Sequence, residues 1–458
     1  MLELEQFKDW LAEHTNYSKA TISDMASRVR RADNILPWFN DEVYLFHLEQ
    51  NKKFQRIENS VRSQIKKAIK LYLEFLKEGT KGTHKILSLF ANIGVAEAYL
   101  QDIGFNVVVA NELISRRANL YSKIYPETEM ICGDITDSKI YKKIIESARE
   151  HGVDMVMATP PCQGMSTAGQ QDENDKRNML IVPVIHAIHD LQPKYVFIEN
   201  VPMFLNTSVV FKGKKILIPE LLDRELSQKY TIRKYVINTA DYSVPQTRER
   251  AIILMTHKEK GLKEWLLPSK DTHVVTMKEA IGSLPKIDPY VDDVSEKEFK
   301  KMFPKFAERE RAALAISKWN IPPHHVKRQV IAMQHTPTGC SAFDNEQYFP
   351  IKKNGVPARG YRNTYKRQNW NTAAYTVTMD NRKISSQNNV HPGRKEGIDK
   401  NGHVIYSDPR ALTLYEIMII MSIPNNWPIP SNTSEAFLRR IIGEGIPPLF
   451  VKKTFANL

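Results

Sequence analysis

From residue 84 to about residue 255 the chain alternates short apolar runs with helix-like stretches, and the runs end in polar turns. Ile86-Leu87-Ser88-Leu89-Phe90 leads into a turn at Asn92 to Gly94, with a helix expected from about Val95. Asn106-Val107-Val108-Val109-Ala110 ends at Asn111-Glu112, a third short element ends at Gly133-Asp134, and Val153 to Ala158 runs into two prolines. Tyr195 to Ile198 gives a fifth element and Tyr235-Val236-Ile237 a sixth. Apolar runs of this length read as strands buried on both faces. Strands alternating with helices predict an α/β fold, a mostly parallel, doubly wound sheet with helices on both sides. Ligands of such sheets bind at the carboxyl ends of the strands, where the polar residues fall here.

The flanking segments have a different texture. Residues 1–80 read as a helical extension, with Phe7, Trp10 and Leu11 on one face and Ile65, Ile69, Tyr72, Leu73 and Leu76 repeating the spacing. Thr21 and Ser23 with Asp24 mark a helix start, and Gly79 to Thr83 reads as a linker. From 256 to 370 the alternation gives way to prolines, charges and scattered aromatics, which predicts a second, irregular domain. Regular structure is expected again over 371–458, with helices at Thr413 to Met421 and Ala436 to Ile442. A chain of 458 residues is too long for one compact core.

The formal net charge of +13 points to a polyanionic partner. Lys327, Arg328, Lys352, Lys353, Arg359, Arg362, Lys366 and Arg367 crowd one region, opposed only by Asp344 and Glu346. Trp319, Tyr348, Tyr361, Tyr365 and Trp370 are interleaved with them, a pattern suited to phosphate contacts and base stacking. No apolar stretch is long enough to span a bilayer, and the acidic N-terminus does not read as a signal peptide. Cys132, Cys162 and Cys340 show no metal-ligand spacing and are odd in number, so a reduced, cytoplasmic protein without a metal centre is expected.

The residues with chemistry cluster at the strand ends. Pro160-Pro161-Cys162-Gln163-Gly164-Met165-Ser166 puts a thiol just past a strand, on a loop narrowed by two prolines, where a nucleophile is accessible. A structural turn that happens to carry a cysteine is the alternative. The Asn92 to Gly94 turn, Glu112 and Asp134 describe a site for an adenosine-containing cofactor, with Glu112 on the ribose hydroxyls and Asp134 on the adenine amino group. No phosphate cradle or Walker lysine is present, and S-adenosylmethionine meets those conditions. Glu199, beside the cysteine loop, would donate a proton to a ring nitrogen while the thiolate attacks the adjacent carbon, with Asn200 holding that carboxyl or the loop. Gln246, Arg248 and Arg250 share one side of an extended segment. Arg248 is placed to lower the thiol pKa or bind a pyrimidine carbonyl, and Arg250 to contact phosphate or brace the loop. A surface salt-bridge strand competes with that reading.

Taken in order, these motifs resemble the bacterial C5-cytosine-specific DNA methyltransferases of the restriction-modification type, from about residue 84 to the C-terminus. The resemblance rests on Leu89-Phe90-Ala91 with Gly94, Asn111-Glu112, Gly133-Asp134-Ile135-Thr136, the Cys162 loop, Asp175-Lys176-Arg177-Asn178-Met179-Leu180 and Glu199-Asn200-Val201-Pro202. It continues through Gln246-Thr247-Arg248-Glu249-Arg250, Arg410-Ala411-Leu412-Thr413 with Glu416, and Gly443-Glu444-Gly445-Ile446-Pro447-Pro448. It implies a Rossmann-like S-adenosylmethionine-dependent methyltransferase core, in two parts over 84–255 and 371–458, with 256–370 as a target-recognition domain. Cys162 would add to C6 of a flipped-out cytosine, with Glu199 on N3, and C5 would take the methyl group. The cofactor would contact Phe90, Ala91, Asn92, Ile93, Gly94, Glu112, Leu113, Asp134, Ile135, Pro160, Leu180 and Glu444. Double-stranded DNA would meet Gln163, Ser166, Gln246, Arg359, Arg362, Lys366, Arg367, Thr376 and Thr378. A monomer is expected, with a cognate restriction endonuclease as its functional partner.

Three positions depart from the family pattern. Asn92 and Val95 stand where glycines are usual, and Glu444 stands where asparagine is usual, so the amino-acid end of the cofactor would be held differently. Residues 1–80 lie outside the resemblance. Their helical pattern resembles the small DNA-arm-binding domain of tyrosine recombinases, and a helical extension that packs on the catalytic domain or binds a partner fits at least as well. An RNA cytosine methyltransferase and a DNA-binding regulator with a vestigial core are the other functional readings. The large basic insert speaks against the first, and intact Cys162, Glu199 and Arg248 against the second.

Overall fold

The computed structural model describes residues 2–38, 44–79, 84–161, 176–259 and 261–458. The chain divides into two compact units, Met1–Thr83 with Gln101–Asn106, and His84–Leu100 with Val107–Leu458.

The first unit contains α1 (Leu4–His14), α2 (Lys19–Ile35), α3 (Tyr44–Gln50), α4 (Lys52–Gln55) and α5 (Asn59–Gly79). Phe7, Leu11, Ile22, Val29, Tyr44, Ile65, Ile69 and Tyr72 form its own apolar core. Helix α2 begins earlier than the Thr21–Asp24 signal suggests. The Ser18 hydroxyl is its cap, accepting from the Thr21 amide at 3.2 Å.

The second unit is built on a sheet of β1 (His84–Leu89), β2 (Phe105–Glu112), β3 (Glu129–Cys132), β4 (Met155–Ala158), β5 (Tyr195–Asn200), β8 (Tyr230–Asn238) and β9 (Glu249–His257), in the order β3-β2-β1-β4-β5-β9-β8. A separate hairpin, β6 (Ser208–Phe211) with β7 (Lys214–Leu217), follows β5. Strand pairs β1/β4, β2/β3 and β4/β5 are parallel, and β9 runs antiparallel to both β5 and β8. Alternation along β5 assigns its two faces. Val196 and Ile198 enter one core with α7 (Ser138–Glu150), α8 (Ile181–Leu191) and α9 (Ile218–Leu226). On the other face Phe197 packs against Trp265 and Phe455, with ring centroids 6.2 and 5.4 Å away. A second core gathers Ile93, Val95 and α6 (Ser115–Ile124) with α10 (Met277–Ile281), α14 (Leu414–Ile420) and α15 (Glu435–Glu444). The sheet is thus covered on both faces, as the alternating sequence predicts.

No helix forms from Val95. Residues 92–100 are successive tight turns, with amides bonding three residues back, Glu97 to Gly94 at 3.2 Å and Leu100 to Glu97 at 2.9 Å. The cause is local. Phe90, Asn92 and Gly94 all have left-handed φ, of 60, 54 and 79°. Glu97 turns inward to accept from Ser88 and Tyr121.

Beyond β9 the chain is less regular but not featureless. It carries α10, α11 (Glu296–Met302), α12 (Phe306–Ile316) and α13 (Lys327–Gln334) before α14, α15 and the last helix, α16 (Pro448–Phe455). Trp265 and α10 pack into the covers of the sheet, so the stretch after His257 first completes the core. Among the described residues no helix is long and apolar enough to cross a membrane.

Candidate active site

Strand pairing brings the acid and one arginine together. Glu199 lies opposite Ile252 in the β5/β9 register, so Arg250, two residues back along β9, is its diagonal neighbour on the same face. Arg250 Nε reaches Glu199 Oε1 at 2.7 Å, with the two side chains 11% and 10% exposed. Burial pushes the Glu199 carboxyl above the ordinary glutamate value, although Arg250 and Arg248 oppose the shift. A carboxyl held toward its protonated form is suited to donate a hydrogen bond.

Asn200 faces the opposite way and serves the neighbouring strand end. Its Nδ2 donates to the Pro160 carbonyl at 3.1 Å, and its Oδ1 accepts from the Val201 amide at 2.8 Å. The Thr159 hydroxyl donates to the Phe90 carbonyl at 3.2 Å. The ends of β1, β4 and β5 are therefore tied together where the chain enters the Cys162 loop. Cys162, Gln163 and Ser166 lie outside the described residues.

Arg248 is engaged by the backbone of distant segments. Its guanidinium is buried and donates to the carbonyls of Val377 (2.8 Å), Gly443 (2.9 Å) and Glu444 (3.3 Å). Gln246, expected on DNA, is fully buried, with Nε2 donating to Met421 Sδ at 2.9 Å and Oε1 accepting from the Val377 amide at 3.0 Å. The two side chains grip the Val377 backbone from both sides. Alternation along the extended segment does put Gln246, Arg248 and Arg250 on one face, but only Arg250 reaches the acid. Gly443 must be a glycine because a Cβ there would collide with the Thr378 carbonyl.

Of the residues expected to hold the cofactor, Glu112 and Glu444 contact the left-handed turn directly. Glu112, only 6% exposed, accepts from the Asn92 amide at 3.0 Å and the Ile114 amide at 2.8 Å. Tyr125 donates to the Gly94 carbonyl at 2.6 Å, and any Cβ at Gly94 would run into its ring. Asp134 accepts from the Thr136 amide and hydroxyl, each at 2.8 Å. The side chains of Ile93 and Ile135 are core, so their backbone alone is available to a ligand. Phe90 and Leu180 are partly buried beside that core, Ala91 is buried, and Pro160 closes the end of β4. Leu113 stands 61% exposed beside Glu112, an apolar surface next to a carboxylate. Glu444 is held by Arg117 at 2.9 Å and Asn92 at 3.3 Å, while burial raises its carboxyl pKa. An exposed apolar side chain, a carboxylate at a strand end and the unpartnered, sealed Asn92 Oδ1 fit a nucleoside with an amino-acid end.

The expected DNA contacts separate by burial. Arg359 and Arg362 are exposed, Arg362 near Asp344 at 3.2 Å, and Lys366 lies over the Tyr375 ring. Thr376 is exposed, and Thr378 follows the gripped Val377. Arg367 is not a DNA contact. It is fully buried and donates to the carbonyls of Met333, His391, Ser407 and Asp408. Carbonyls that end no regular element need donors, and a buried guanidinium supplies several at once. Sequence reading also left unexplained a buried network in which Arg410 binds Glu416 through two 2.8 Å contacts and Asp408 at 2.9 Å.

The chain matches the C-5 cytosine-specific DNA methylase family over residues 84–458. It belongs to that family. It is similar to the Type II methyltransferase M1.HgaI of Avibacterium volantium, 41% identical over 371 residues, which cover 80% of this chain and 95% of that one. It is also similar to the Type II methyltransferase M.AquIA of Picosynechococcus sp., 34% identical over 182 residues, or 37% and 71% of the two chains. Among solved structures, a DNA modification methyltransferase encoded within an E. coli prophage superposes with a TM-score of 0.55 at 18% identity, covering 82% of this chain and 98% of that one, a likeness of fold. This DNA (cytosine-5)-methyltransferase therefore uses S-adenosylmethionine as methyl donor and acts on DNA.

Proposed function

We propose that the enzyme methylates cytosine at one short duplex sequence, with Cys162 as nucleophile, Glu199 as proton donor and Arg250 as the group that orients Glu199. The observation that carries this reading is the buried Glu199–Arg250 pair at the end of β5, beside the tied entrance to the Cys162 loop. A pyrimidine is a poor electrophile, so attack at C6 needs a proton or a strong hydrogen bond at N3. Burial raises the Glu199 pKa above the ordinary glutamate value, which favours that donation. The Cys162 thiolate bonds to C6, and the electron density displaced toward C5 makes that carbon nucleophilic. S-adenosylmethionine supplies the methyl group. A base then takes the C5 proton, the C5–C6 double bond re-forms as the Cys162 thiolate leaves C6, and the N3 proton returns to Glu199. C6 is shielded inside a stacked duplex, so the cytosine is flipped out before attack.

Arg250 has a second consequence. Its charge keeps the Glu199 carboxyl aimed and opposes the upward shift that burial gives it. Residues 256–370 act as the target-recognition segment, with Arg359, Arg362 and Lys366 on phosphates and Thr376 and Thr378 near the flipped base. Similarity to M1.HgaI supports a Type II role. In this reading the enzyme is a cytoplasmic monomer that protects host DNA against a cognate endonuclease. Residues 1–80 are an accessory helical domain. Bisulfite sequencing of plasmid DNA from cells expressing the wild type or Cys162→Ala tests the reading. Protected cytosines in one motif, seen only with the wild type, are expected. Protection by the variant, or none by either soluble protein, would overturn it.

A further inference from the structure

The β6–β7 hairpin has no part in the sheet or in the chemistry above, yet it follows closely on Glu199. Only Val201, a short helical turn (Pro202–Asn206) and Thr207 separate it from β5, and that turn packs along β9. Strand β6 packs beside Lys176–Leu180, the turn by which the chain returns from the Cys162 loop. The hairpin thus hangs at the catalytic end of the sheet, between the strand that carries the acid and the return of the nucleophile loop.

Its root and its tip differ. Val209 and Phe211 are buried in one core with Leu221 and Leu222, and the Ile218 amide closes the neck on the Thr207 carbonyl at 2.9 Å. The tip is Lys212-Gly213, with φ of 49 and 75°, the left-handed pair of a tight two-residue turn. Glycine or asparagine suits the first of these places, and lysine there carries a steric cost. Lys212 Nζ lies 5.0 Å from the Phe211 ring, a weak attraction for an exposed cation. A Cβ on Gly213 would meet nothing within 4 Å, so the tip stands in solvent. Lys212, Lys214 and Lys215 are exposed there, with Val210, 60% exposed, opposite Lys215. On α9, Asp223 is taken by Lys234 at 2.5 Å and Glu225 by Arg224 at 3.0 Å, while Glu220 sits against the positive end of the helix dipole. Among the described residues no carboxylate pairs with Lys212 or Lys214. Neither the strain nor the charge at this tip stabilises the fold, so something outside it accounts for both.

We propose that the β6–β7 hairpin is a second DNA-binding element, with Lys212 and Lys214 on phosphates that flank the flipped cytosine. The inference rests on the reading of Glu199 as the residue that meets the base. A base on Glu199 brings its own strand to the carboxyl end of β5, where the hairpin begins. Strand β6 extends about 13 Å, at roughly 3.3 Å per residue. Its tip therefore reaches phosphates a few steps along the strand rather than that of the flipped nucleotide. Lysine suits this use, as a point charge on a flexible stem that takes a phosphate without demanding one geometry. Such contacts carry no sequence information and set the register of the duplex on the catalytic side.

Filter binding of the full-length protein to duplex DNA across a salt series tests this. Lys212→Asn with Lys214→Gln removes both charges, and asparagine suits the left-handed φ at 212, so the turn is kept. The slope of log affinity against log salt is expected to fall by about two units, for any duplex sequence. Lys212→Arg with Lys214→Arg should keep the wild-type slope. Lys142→Gln with Lys143→Gln, exposed on α7, removes the same charge elsewhere and should also leave the slope as it is. An unchanged slope in the hairpin variant overturns the proposal, and so does an equal fall in the α7 variant, which would reduce the effect to net charge. S-adenosylhomocysteine affinity should stay within twofold. Its loss together with DNA binding would make the hairpin a structural part of the core and overturn the proposal as well. Methylation at the wild-type rate by Glu199→Gln would remove the reading of the site, while the salt slope would still judge whether the hairpin holds DNA.

Discussion

Arg250 and Glu199 meet across two antiparallel strands at 2.7 Å, while Arg248, two residues away on the same face, donates through both terminal nitrogens to backbone carbonyls. Two arginines of one short motif therefore do different work, one electrostatic and one architectural. Glu199→Gln is expected to slow methyl transfer about 100-fold or more, the usual scale for a lost proton donor. Arg250→Gln should approach the same loss, because the acid is then unaimed. Single-turnover assays on duplex DNA check both, and wild-type rates in either variant would assign the proton to another group.

Arg248→Met should act differently. It leaves the carbonyls of Val377, Gly443 and Glu444 without their donor. Urea unfolding should show a loss of about 1–3 kcal/mol, since buried acceptors are left unpaired. Loss of activity with unchanged stability would return Arg248 to the chemistry.

The basic segment offers a contrast between exposed and buried cations. The double variant Arg359→Ala with Arg362→Ala should weaken DNA binding for all sequences and reduce the salt slope by about two units, roughly one per lost phosphate contact. Arg367→Met should leave the slope unchanged and lower stability. Filter binding across a salt series separates them, and a changed slope for Arg367→Met would contradict its burial.

Two buried histidines predict acid sensitivity. His391 Nδ1 accepts from the Gly393 amide at 3.0 Å, and His325 Nε2 accepts from the Ala411 amide at 3.0 Å. Both must be neutral to do so. Burial, ahead of nearby charges, lowers His391 to about 4 and His325 to about 3. The unfolded chain therefore binds more protons below its histidine pKa of about 6.5. Their contribution is fully present above that value and is lost as pH falls toward 4. Urea midpoints should drop between pH 7 and pH 5, and His391→Gln, which keeps an acceptor, should flatten the drop. A midpoint independent of pH over that range would count against this account.

Much of the sheet was legible because its strands are continuous apolar runs. Val156 to Ala158 and Val196 to Ile198 need no partner to be read as buried. The supposed helix after Gly94 was misread because left-handed φ at Phe90 and Asn92 leaves no periodic mark in a sequence. Glu199 was legible from its place after an apolar strand. The division of labour between Arg248 and Arg250 was not, because it depends on the register between β5 and β9. Arg367 was misassigned for a related reason. A run of cations looks alike whether each faces solvent or a set of buried carbonyls, and only the fold shows which.

The grip of Gln246 and Arg248 on Val377 ties two distant stretches of chain to the strand that carries Arg250. Thr247 also bonds the Ala374 carbonyl, and Ala374 the Pro245 carbonyl at 3.0 Å, so residues 374–377 are stitched to the segment that leads into β9. What lies between begins with β9 and Arg250 and passes through Trp265 and α10, all of them part of the sheet and its cover. The return of the chain at residues 374–377 therefore acts as a brace on the entry to β9, and the placement of Arg250 against Glu199 depends on residues more than a hundred positions away.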